Sequence, residues 1–132
     1  MRLRTQALAA IVDCVYRAAV KHETSLRSLY AAFNARDIDA ALARMTADVD
    51  WPNGWEGGRV VGHEQIRDYW KRQWAQIDSR AVPAAITERS DDEVEVRVHQ
   101  VGRDLSGCVL FDEEVRHVYA FRGDLVRRMT IE

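Results

Sequence analysis

His117 and Tyr119 lie two residues apart in a stretch that alternates between apolar and polar side chains. On a strand that spacing puts an imidazole and a phenol on one face, between Val115 and Phe121. Such an imidazole can act as general acid or base, or polarise a carbonyl, with the phenol beside it. A buried polar group without a partner costs ~1–3 kcal/mol, so a cavity holding ligand or water suits the pair better than packed core. The competing reading is a core histidine satisfied by a backbone carbonyl or by the Thr130 hydroxyl. All four tryptophans fall between Trp51 and Trp74. Trp51 shares a strand face with Asn53, and Trp70 lies one helical turn from Trp74. Trp51 and Trp70 are therefore expected to wall a pocket for a small apolar or aromatic molecule, while Trp74 packs. Trp55, in a glycine-rich loop, can lid the opening. Tyr30 is a further phenol on a helical stripe, and Asn53 and Gln100 are amide helpers. Arg128, if it faces inward, would bind a ligand carboxylate.

Other constellations carry less. Asp48 and Asp50 form a carboxylate pair, but alternation turns both away from Trp51 and makes them structural. His63, His99 and His117 lack ligand spacing, as do Cys14 and Cys108, so neither metal nor cofactor is expected. Nineteen basic against twenty-one acidic residues give a net charge of −2, which argues against nucleic acid as a partner. No run approaches the ~20 apolar residues a membrane helix needs. Two cysteines in 132 residues fit a reducing cytoplasm.

The elements that must position these groups run helices first, then strands. Leu26, Leu29, Tyr30 and Phe33 make one stripe from Thr24 to Ala35, and Asp37 caps a second helix reaching Met45. A short strand over Asp48–Trp51 is followed by a helix over His63–Ile77, with Ile66, Tyr69, Trp70, Gln73 and Trp74 on one side. Strands are expected over Val82–Glu88, Glu93–Val101, Val109–Arg122 and Leu125–Ile131. Helices followed by a meander give an α+β fold, its antiparallel sheet wrapped around helices. A hairpin centred between Leu105 and Ser106 pairs Val98 with Glu113, Val96 with Val115 and Val94 with His117. Glu95, Arg97, His99, Glu114 and Arg116 then share the outer face. A two-residue turn at Gly123-Asp124 puts Arg128 and Thr130 inward, yet Leu125, Met129 and Ile131 alternate as the buried set. A partner covering the outer face would reconcile the two, so a homodimer through the convex face is expected. Residues 1–23 read as a helical or disordered extension and 24–132 as the domain.

The string LYAAFNARDIDAALARMTADVDWPNG, then GGRVVGHEQIRDYWKRQW, resembles the nuclear transport factor 2-like superfamily, and within it the SnoaL-like and ketosteroid-isomerase-like branch. The closing Phe121-x-Gly123-Asp124-Leu125-Val126-x-Arg128-Met129 hairpin is similar too. The resemblance implies a cone-shaped, cystatin-like roll: a strongly curved sheet around an apolar cavity closed by three helices. It implies small-molecule binding, with acid–base isomerase, cyclase or hydrolase chemistry in some members and a non-catalytic dimeric binding or association module as the alternative. The general-base carboxylate of the isomerase branch falls on or near Asn53, and an amide cannot abstract a proton at neutral pH. The acid that helps stabilise the oxyanion falls on His117, and the phenol of the first helix near Leu29 or Tyr30.

Overall fold

The computed structural model describes residues 20–132, so nearly all of the expected 1–23 extension lies outside the described residues. The first described helix, α1 (Glu23–Asn34), buries Leu26, Leu29 and Tyr30 at three- and four-residue steps. Arg36 adopts a left-handed backbone at φ 61°, and Asp37 caps α2 (Ile38–Leu42) by accepting from the Ala40 amide at 3.1 Å. Then come β1 (Met45–Pro52), β2 (Arg59–Val61) and α3 (His63–Trp74). A meander of β3 (Ile77–Ser90), β4 (Glu93–Asp104), β5 (Val109–Arg122) and β6 (Leu125–Ile131) completes the chain.

These strands form one open mixed sheet in the order β2-β1-β6-β5-β4-β3, a cystatin-like α+β fold with the helices packed on one face. It departs from the expected all-antiparallel sheet at one seam, where β1 runs parallel to β6. The intervening α3 and three meander strands are long enough to return the chain in the same direction, which a parallel neighbour requires.

The inner face of the sheet is the core. Val94, Val96 and Val98 are fully buried, and Tyr119 and Phe121 nearly so. The β4–β5 register differs from the expected one by two residues: Val96 faces His117, Val98 faces Val115, and Gln100 faces Glu113. The connecting loop is wider than two residues because the Asp104 carboxylate accepts from the amides of Ser106 and Cys108, and a bulge follows at Gly102/Arg103. A two-residue slip preserves parity, so inward and outward assignments stand.

The last hairpin resolves its own conflict. Val126 pairs with Phe121 next to the turn, but a bulge between Ala120 and Phe121 shifts phase, and Met129 then pairs with Tyr119 and Ile131 with His117. Val126 and Met129 are both buried although three residues apart. Arg128 and Thr130 are thereby not inward. Arg128 lies opposite Ala120 and holds the Asp50 carboxylate at 2.7 Å on the outer surface. No covering partner is needed to explain the alternation.

The third strand of the chain begins at Ile77 rather than Val82. Ile77, Ser79 and Ala81 point inward there, and the free edge is covered from α1. The Asn34 side chain donates to the Ala81 carbonyl at 2.7 Å and accepts from its amide at 2.9 Å, mimicking a neighbouring strand.

Candidate functional site

Between the inner sheet face and helices α1 and α3 lies a cavity of about 520 Å³. Its position follows from element geometry. Alternation on β5 brings Phe111, Glu113, Val115, His117 and Tyr119 to it, α1 contributes Leu29, Tyr30 and Phe33, and α3 contributes Tyr69, Trp70 and Gln73. Trp51, Trp55, Gln100, Met129 and Ile131 complete much of the wall. Trp51 meets the Trp70 ring edge-on at 5.9 Å and the Tyr119 ring at 6.1 Å, which fixes the aromatic wall. Trp74 is turned away, stacked on Trp70 at 5.6 Å and covered by the Arg36 guanidinium at 4.6 Å.

The polar centre is a chain of three side chains. The Tyr119 hydroxyl donates to the Tyr30 oxygen at 2.7 Å, and Tyr30 reaches His117 Nδ1 at 2.8 Å. Both hydroxyl hydrogens are used when Tyr30 donates to an unprotonated Nδ1, which leaves the imidazole hydrogen on Nε2. Nε2 has no protein partner among the described residues, and His117 lines the cavity. Burial lowers the His117 pKa to about 4, so the ring is neutral at pH 7. Burial also holds the Tyr30 and Tyr119 phenols well above their ordinary range. In that tautomer the ring is a neutral N–H donor facing the cavity, suited to a carbonyl or other oxygen acceptor.

Two expected site residues stand elsewhere. Arg128 is on the outer face, paired with Asp50. Asn53 is buried but absent from the cavity wall. Its side chain accepts from the Glu56 amide at 2.7 Å and donates to the Glu56 carboxylate at 3.0 Å. That is turn chemistry, which asparagine performs more readily than any ligand contact. It shapes the 53–58 loop, whose Trp55 lines the cavity.

Gln73, Ser79, Phe111 and Glu113 also belong to the wall, beyond the residues expected there from sequence. The alternation through Val115 and His117, extended two steps before Val115, reaches Glu113 and Phe111. The Phe111 ring lies directly on Gly102, where a Cβ would come within 2.3 Å of it. Ser79 had no signal, because the polar stretch opening β3 does not read as strand. Among the described residues no group of three metal-ligating side chains occurs.

A family model described as the SnoaL-like domain matches residues 26–129. Among solved structures, the chain is similar to TerC co-crystallised with polyporic acid, at 25% identity and a TM-score of 0.75, covering 84% of this chain and 89% of that one. A nuclear transport factor 2-like protein of unknown function from Burkholderia pseudomallei is 21% identical, with a TM-score of 0.74 and coverage of 84% and 88%. A Mycobacterium tuberculosis protein in complex with estradiol-17beta-hemisuccinate is 17% identical, with a TM-score of 0.69 and coverage of 80% and 88%, a likeness of fold. No curated protein matches the chain.

Proposed function

The chain belongs to the SnoaL-like domain family, and on that premise we propose that it binds a small, flat, largely apolar molecule through an oxygen acceptor held by His117. The single observation carrying this reading is the hydrogen-bond chain Tyr119–Tyr30–His117 inside a cavity walled by Trp51 and Trp70. The relatives crystallised with polyporic acid and with an estradiol hemisuccinate support a small-molecule occupant.

The chemistry favoured is polarisation rather than proton abstraction. Nδ1 is engaged by Tyr30, and a ring with a pKa of about 4 is a weak base. Passing a proton outward through Tyr30 would leave a buried tyrosinate, which its raised pKa opposes. An Nε2–H aimed at a carbonyl instead stabilises negative charge developing on that oxygen. Any isomerase, cyclase or hydrolase activity of this chain would draw on that donor. Gln100 and Tyr119 support the site, and Asn53 acts only through the loop it shapes.

A homodimer through the outer sheet face remains part of the proposal. That face carries exposed Val82 among ion pairs such as Arg97–Glu114 at 2.6 Å. Light scattering at tens of micromolar should give twice the chain mass, and a monomer mass would remove the dimer.

Tryptophan-fluorescence titration with 4-acetylbiphenyl tests the site. The ketone should bind roughly tenfold or more tightly than biphenyl, the value of one well-placed hydrogen bond. His117→Ala should weaken that binding, and His117→Phe should fill the space and abolish it, with circular dichroism unchanged. Normal binding by both variants would refute the assignment.

A further inference from the structure

We infer that the cavity has a second hydrogen-bonding end, built from Gln73, Ser79, Gln100 and Glu113, that takes an N–H or O–H donor at the far end of the ligand, an ammonium group most strongly. The inference rests on the small-molecule reading above and adds the ligand's second functional group.

Sheet register places this end. Ala81, Gln100 and Glu113 form one row across β3, β4 and β5, and Ser79, Gly102 and Phe111 form the next. The row of His117 and Val96 lies four residues from the first, about 13 Å along extended strands. Gln73, on the last turn of α3, lines the same cavity as the other three.

Hydrogen-bonding capacity at this end is unfilled. The Ser79 hydroxyl is buried and has no partner. The Gln73 side chain, 9% exposed, makes no hydrogen bond among the described residues. An orphaned polar group in an apolar wall is costly, and a ligand group or water offsets that cost. Gln100 donates to one Glu113 carboxylate oxygen at 2.7 Å, which leaves its own amide oxygen and the second carboxylate oxygen as acceptors. The lining cation, Arg80, is engaged by the Asn34 carbonyl at 2.8 Å and by Asp78 at 3.2 Å. What this end offers is therefore a set of acceptors, a rotatable hydroxyl and the exposed Glu113 carboxylate, with the Arg80 guanidinium drawn off toward Asp78 and the Asn34 carbonyl. Such a set attracts donors and cations and repels carboxylates. The ligand class is an aryl or fused-ring carbonyl compound with a distal amine or hydroxyl.

The test uses three probes on one skeleton: 4-acetylbiphenyl, its 4′-aminomethyl derivative and its 4′-carboxylate. In the wild-type protein the ammonium probe should bind at least about tenfold more tightly than the carboxylate probe. Glu113→Gln should bring that ratio to within about twofold of unity, and Glu113→Lys should invert it. An unchanged ratio in both variants, or equal binding of the two charged probes by wild type, would overturn the second end. In that event, His117-dependent binding of 4-acetylbiphenyl would leave the first reading standing. Failure of all three probes to bind would overturn both.

Discussion

Strands β4 and β5 carry opposite chemistry on their two faces, and two histidines show it. His117 faces inward, 7% exposed, with Nδ1 held by a buried phenol. His99 faces outward, its ring 2.5 Å from the Asp112 carboxylate and more than half exposed. One imidazole is desolvated and held neutral; the other has water and an anion at hand. The two neighbouring strands belong to one sheet, so parity on the pleat decides which histidine can serve as a donor into the cavity. Ion pairs follow the same division: Arg97–Glu114 and Arg116–Glu95 lie outside, while the cavity centre holds neutral groups.

Four changes would break or sharpen that contrast. The largest effect belongs to the inner wall, where Trp70 is 2% exposed. Trp70→Ala should cost about 3–5 kcal/mol in urea unfolding, a cavity too large to collapse. Next is pH. The unfolded imidazole titrates near 6.5 and the folded one near 4, so the unfolded state binds the extra proton between those values. Stability should be full above pH 6.5 and fall by roughly 2–4 kcal/mol as pH drops to 4. His117→Gln should remove that component of the slope, seen in urea midpoints measured across the range. Tyr30→Phe comes third: it strands a buried Nδ1 and should cost about 1–3 kcal/mol by the same assay. The smallest effect is outside. In a double-mutant cycle, Arg97→Ala and Glu114→Ala should show no resolvable coupling, because both side chains are more than half exposed.

Much of this was legible in the sequence because alternation is periodic and local. Val94, Val96 and Val98 against His117 and Tyr119 marked the inner face even with the register two residues out, since parity survives an even slip. Bulges are less legible, being set by a single extra residue. The consecutive Arg127-Arg128 between Val126 and Met129 breaks period two and was the available sign of one. Turn chemistry and alternation alone leave the phase of Arg128 open. Asn53 shows a different limit: its amide, beside Pro52 and Gly54, is taken up by the turn through Glu56. Ser79 and the start of β3 are hidden because Asn34 on α1, 47 residues from the Ala81 it contacts, supplies the edge hydrogen bonds. No local pattern encodes a partner at that distance.

The proposed chemistry turns on His117 as a neutral Nε2–H donor inside the cavity, and long-range ¹H–¹⁵N correlation of the histidine imidazoles reads that directly. At pH 7 His117 should show a protonated Nε2 and an unprotonated, hydrogen-bonded Nδ1, with a titration midpoint near 4. Saturating 4-acetylbiphenyl should move its Nε2–H resonance while His99 stays put. An imidazolium at pH 7, a proton on Nδ1, or a His117 signal indifferent to the ketone would contradict the account.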